Sequence, residues 1–119
     1  MVKRGEEIPR PNPWTVKAAD LRAGKGWDQL KSQFPEATDA AWVAMISDPR
    51  RTNDRQHQLK GELAEVSIAG VKHDQWQFEI TSGGRIWYAV NDEERILWVT
   101  EATTGHPKKT DSQRRRNRG

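Results

Sequence analysis

The stretch QWQFEITSGGRIWYAVNDEERILWVTEAT, residues 75–103, constrains the fold of this chain more than any other. It holds three segments rich in β-branched and aromatic residues, the composition of strands. SGG at 82–84 and NDEE at 91–94 separate them, and such short turn-forming connectors join antiparallel neighbours into a meander. In QWQFEI, Trp76, Phe78 and Ile80 point one way and Gln75, Gln77 and Glu79 the other, so one face is core and the other polar. In the next segment Ile86, Tyr88 and Val90 alternate with Arg85, Trp87 and Ala89, which puts Trp87 over a second, smaller apolar patch. AEVSIAGV, residues 64–71, adds a fourth strand.

Upstream the apolar period lengthens. Trp27, Leu30 and Phe34 recur at helical spacing and Pro35 forces a break, which predicts a helix over 26–34. PEATDAAWVAMISDP follows, with Trp42, Met45 and Ile46 on one face and acidic residues in its first turn, giving the second arm of a helical hairpin. Residues 15–23 read as a further short helix, ended by the glycines of AGKG, which lack the surroundings of a phosphate-binding loop. Residues 50–61 are polar and aperiodic and read as an exposed loop. The expected class is α+β: an N-terminal helical hairpin packed on one face of a mainly antiparallel sheet of about four strands.

A chain of 119 residues suits one domain with one core. The expected organisation is an extended, proline-rich arm over 1–14, a single domain over 15–109, and a basic, disordered tail over 110–119. Six of the 20 Lys/Arg and one of the 17 Asp/Glu lie in residues 107–119, so the tail carries +5 and the rest about −2 of the net +3. Such a tail attracts phosphate or an acidic partner, and basic tails also serve solubility alone. The absence of cysteine excludes disulfides, thiolate zinc ligands and a thiol nucleophile. With no apolar run of membrane-spanning length and no apolar leader, the expected location is the cytoplasm.

His57 and His106 flank the meander, with Lys60, Arg85, Lys108 and Lys109 near them in the expected topology. Cleaving RNA through its 2′-hydroxyl needs a base, an acid for the leaving 5′-oxygen, and cations for the phosphorane. Two imidazoles with Arg and Lys supply all three. The residues alone leave another reading open, in which both histidines lie on surface loops and Arg85 pairs with Glu79. A three-histidine metal site including His73 lacks any tight ligand spacing. Alternation puts Trp76 and Trp98 in the core and leaves Trp87 open between packing and base stacking.

The order of these features, from the helical hairpin through LKGEL at 59–63 and RIWY at 85–88 to an apolar strand running into a histidine, resembles the RelE/ParE toxin superfamily over residues 27–109. The resemblance implies a small α+β toxin of a two-gene module, held inactive by a cognate antitoxin and arresting growth when free. Nuclease members cut messenger RNA, commonly on the ribosome. His57 aligns with an acidic general base that precedes the Leu-Lys-Gly triplet, Arg85 with the phosphate-binding arginine, and His106 with the general acid. Pro107 follows His106, where nuclease members often have a tyrosine. The expected function is therefore a metal-independent endoribonuclease with His57, Arg85 and His106 as catalytic residues and no cofactor. Arg55, Lys60, Gln77, Lys108 and Lys109 are expected on the substrate. The rivals are a ParE-like inhibitor of DNA gyrase, which needs no catalytic residues, and an inactive member that binds RNA or antitoxin.

Overall fold

The computed structural model describes residues 1–105. Its elements are β1 (Thr15–Ala18), α1 (Leu21–Gln33), α2 (Pro35–Ser47), β2 (Gln56–Gln58), a 3-10 turn (Gly61–Ala64), β3 (Glu65–Ile68), β4 (Val71–Glu79), β5 (Arg85–Asn91) and β6 (Ile96–Thr103). Two helices followed by a mostly antiparallel, six-stranded sheet make the class α+β, as the sequence implies. The strand order is β1-β6-β5-β4-β2, with β3 sharing the outer edge of β4 with β2. Only β1 runs parallel to its neighbour, β6.

The meander forms as expected, but the sheet has six strands where four were anticipated. Residues 64–71 do not form one strand: Ala69 and Gly70 both take positive φ, 52° and 82°, and turn the chain into a β3–β4 hairpin. Two left-handed central residues make the tight turn whose twist suits a two-residue hairpin. The expected loop over 50–61 contains β2, which pairs with β4 through Gln56↔Phe78, His57↔Gln77 and Gln58↔Trp76.

The helix expected over 15–23 is instead a strand and a helix start. β1 pairs with β6 from Thr15↔Ile96 to Ala18↔Val99, and Asp20 caps α1 by accepting from the Ala23 N–H at 2.8 Å. The AGKG glycines therefore lie inside α1 and do not end it. A Cβ on Gly26 would run into the Ala102 carbonyl of β6, so this glycine permits the close approach of helix to sheet. The two helices meet without a loop: Pro35 opens α2, and the Thr38 hydroxyl donates to the Leu30 carbonyl at 3.1 Å.

The helices cover one face of the sheet. Leu30 and Met45 are fully buried there with Ile86, Tyr88 and Leu97, and Trp76, Phe78, Ile80, Val90 and Val99 complete the core. On α2 the buried residues are Thr38, Ala41 and Met45. Trp42, expected in that face, stands at its margin, 36% exposed, against the edge of Trp27 with ring centroids 5.7 Å apart. Trp98 is likewise not core. It lies on the opposite face, half-buried, with the Lys17 ammonium 5.6 Å from its ring centre.

A polar clasp ties the 48–56 segment to the core. The Tyr88 hydroxyl donates to the Pro49 carbonyl at 2.8 Å and accepts from Gln56 Nε2 at 2.9 Å, and the same amide donates to the Asp48 carbonyl. Arg50 bridges Asp74 and Asp92, whose hydrogen bonds hold its guanidinium charge. Residues 1–13 are exposed throughout, and their exit is pinned where Arg95 donates to the Asn12 carbonyl and stacks over Trp14 at 4.5 Å.

Gly26→Ala should force α1 off β6 and cost about 1–3 kcal/mol of unfolding free energy in a denaturant titration. Tyr88→Phe should cost a similar ~1–3 kcal/mol, by leaving Pro49 and Gln56 short of a partner. Burial pushes the Tyr88 phenol far above its ordinary 10.0, with the Gln56 hydrogen bond acting the other way. Because the folded pKa is the higher one, this contribution is complete below pH 10 and declines as pH rises beyond it. Stability measured above pH 10 should therefore fall less steeply in Tyr88→Phe than in wild type.

Candidate functional site

The face of the sheet away from the helices carries the polar side chains of the alternating strands. One row crosses four strands: His57 pairs with Gln77, Gln77 with Trp87, and Trp87 with Glu101. The next row holds Glu79, Arg85 and Thr103. From strand spacing and rise, the backbones of His57 and Arg85 are about 12 Å apart, within reach of one phosphodiester for side chains of their length.

His57 is half-buried, and its Nδ1 lies 3.1 Å from the Gln58 carbonyl. A carbonyl only accepts, so in the neutral ring the proton sits on Nδ1 and the lone pair that a general base needs is on Nε2. Gln77 accepts from the Trp87 indole N–H at 2.8 Å, which holds the ring on the sheet. Arg85 lies over that ring, 5.8 Å from its centre, and makes a long 3.5 Å contact to the Gly83 carbonyl. Among the described residues it forms no ion pair with Glu79, although the two are cross-strand partners.

The other expected contacts differ in what they already hold. Arg55 Nη1 donates to the carbonyls of Glu79 and Ile80, both at 3.0 Å, and so ties β2 to the end of β4. Lys60 is exposed just before the 3-10 turn, beside buried Leu59 and ahead of Gly61 with φ of 63°. His73 is apart from this group: Nδ1 meets the Val71 carbonyl at 2.8 Å and Nε2 faces Asn91. Among the described residues no group of three or more His, Asp or Glu is placed to hold a metal. No helix among them is long and apolar enough to cross a membrane.

His106, Lys108 and Lys109 lie outside the described residues. The described chain reaches Gly105, which has φ of 79° and fits so tightly on Gly83 that a Cβ there would collide with the Gly83 carbonyl. The chain thus leaves β6 against the turn that precedes Arg85.

Two residues of this face were not singled out beforehand. Glu101 ends the row and accepts from both Nη atoms of Arg22 at 3.4 Å, and Arg22 sits in the first turn of α1. Reading residues 15–23 as one helix hid Arg22, and a bulge at Trp87/Tyr88 turns Glu101 onto this face.

Arg55→Ala should lower stability by about 1–2 kcal/mol, because two strand-end carbonyls lose a charged donor. Arg85→Ala should change it by less than ~1 kcal/mol, the scale of an exposed cation–π contact. Urea titrations of the two variants check this division between a structural and a free arginine. No family model and no curated protein sequence matches the chain.

Proposed function

We propose that the chain is an endoribonuclease toxin of the RelE/ParE kind, cutting messenger RNA without a metal and acting in the cytoplasm, where a cognate antitoxin restrains it. The observation that carries this reading is His57, with Nδ1 on the Gln58 carbonyl, on the same sheet face as an Arg85 guanidinium without a carboxylate partner among the described residues. His57 Nε2 takes the proton of a ribose 2′-hydroxyl, and the freed oxygen attacks the adjacent phosphorus. Arg85 meets the charge that builds on the phosphorane oxygens. His106 gives its proton to the departing 5′-oxygen, so the products are a 2′,3′-cyclic phosphate and a 5′-hydroxyl. Lys60, Lys108 and Lys109 hold neighbouring phosphates, and Gln77 steadies the Trp87 ring beside the reacting ribose. The packing of Gly105 on Gly83 sets the end of the described residues beside the turn that precedes Arg85.

The test is induced expression of wild type, His57→Ala, Arg85→Ala and His106→Ala with mapping of cellular RNA 5′ ends. Wild type should arrest growth and create 5′-hydroxyl ends, and each histidine variant should lose cleavage by about 100- to 10,000-fold. Arrest by all four proteins without new ends would overturn the reading in favour of a ParE-like toxin that acts by binding a protein.

A further inference from the structure

Two hollows of about 390 and 240 Å³, where α1 and α2 meet β1, share Trp27 and Trp42 in their walls. The larger extends to Pro35 and the smaller to Val16 and Ala18, so together they form one groove with an aromatic middle. One side of the groove is a sheet edge, because among the described residues β1 pairs with β6 alone. The N–H groups of Thr15 and Ala19 donate to the Arg95 and Val99 carbonyls, which turns the backbone groups of Val16 and Ala18 toward the unpaired side.

The exposed arm over residues 1–13 has the complementary chemistry. Pro9 and Pro11 alternate with Ile8 and Arg10, so the N–H donors of this stretch lie on alternate residues and point to one side of an extended backbone. Such a segment pairs with a strand edge on one side and offers no donor to a further strand on the other. Proline rings pack well against aromatic walls, and a stretch already extended loses little entropy when it docks.

Charge agrees with this match. Asp39 stands exposed at the larger hollow and Asp28 at the smaller, and among the described residues neither they nor Arg10 forms an ion pair. Three residues per turn of an extended proline-rich helix put Glu7 on the same side as Arg10, and Lys31 lines the wall near Asp39. The arm does not fill the groove of its own chain. None of residues 1–13 lines either hollow, Asn12 bends the arm with φ of 51°, and Arg95 holds the Asn12 carbonyl.

We propose that residues 7–11 of a second copy occupy this groove, so that two copies exchange arms about a twofold axis. Ile8, Pro9 and Pro11 lie against Trp27 and Trp42, Arg10 meets Asp28 and Asp39, and Glu7 meets Lys31. Reciprocal exchange makes every contact twice, and the second forms within the pair, which is how so short a segment holds a dimer. The exchange does not depend on the ribonuclease reading.

The test is sedimentation equilibrium of the full chain over a range of concentrations. Wild type should pass from 13.7 kDa to twice that mass as concentration rises. Arg10→Asp and the double variant Asp28→Arg/Asp39→Arg should each weaken dimerisation at least about tenfold, because like charges then face each other. All three positions are exposed, so both variants should keep the wild-type circular dichroism. Mixed in equal amounts they should dimerise again, since each reversed arm meets a reversed groove and each original arm an original groove. A wild type that stays monomeric throughout would overturn the exchange, whether the groove then takes its own arm or another protein. Unchanged dimerisation in both variants, or a mixture that associates no better than its parts, would overturn it equally.

Discussion

The candidate site depends on the pairing of three residues, Gln56–Gln58, with the middle of β4. A strand this short has little pairing energy of its own. Its register is set by Gln56, almost wholly buried, whose side-chain amide reaches both the Tyr88 hydroxyl and the Asp48 carbonyl. A slip of one residue would turn His57 toward the core and Gln56 outward, since successive side chains alternate between faces. Arg55 secures the same end of the strand by binding the carbonyls where β4 leaves the sheet. Polar contacts inside and below the sheet therefore determine which side chain faces out on top.

The two faces of the sheet differ: one packs against the helices and the other carries the polar side chains. Beneath it, Ile86, Tyr88 and Leu97 meet Leu30 and Met45 with almost no exposure, and Gly26 lets α1 lie directly on β6. The rigid helix–sheet contact fixes the direction in which α1 begins, and thereby brings Arg22 to Glu101 across the sheet edge. Above it, side chains with few packing partners, His57, Arg85 and Trp87, share one surface. Of these, Trp87 has its N–H bound to Gln77, whereas the Arg85 guanidinium has no carboxylate partner among the described residues.

Much of this was legible in the sequence because it is local. The alternation of residues 75–90, with the short connectors, put Tyr88 in the core and Arg85 outside, whereas it misplaced Trp98 on the last strand. What escaped the sequence was set by partners far along the chain. β1 looked helical because its only pairing is with β6, some 80 residues on, and its four residues carry no period of their own. β2 was hidden for the same reason and by its polar composition. The β3–β4 turn uses Ala69 in a conformation usual for glycine or asparagine, so Gly70 alone marked the reversal in AEVSIAGV. The glycines of α1 were read as an end because close packing against Ala102 is not visible without the sheet. At the site, neither the pairing of His57 with Gln77 nor the Arg22–Glu101 pair was anticipated.

The most direct test of the account is cleavage of a synthetic RNA by the purified chain in the presence of a chelator, with a second RNA that lacks only the 2′-hydroxyl at the cut position. The account predicts cleavage of the first RNA to a 2′,3′-cyclic phosphate and a 5′-hydroxyl, and no cleavage of the second at that bond. Equal cleavage of both would contradict it, because the nucleophile would then not be the ribose hydroxyl that His57 is held to activate.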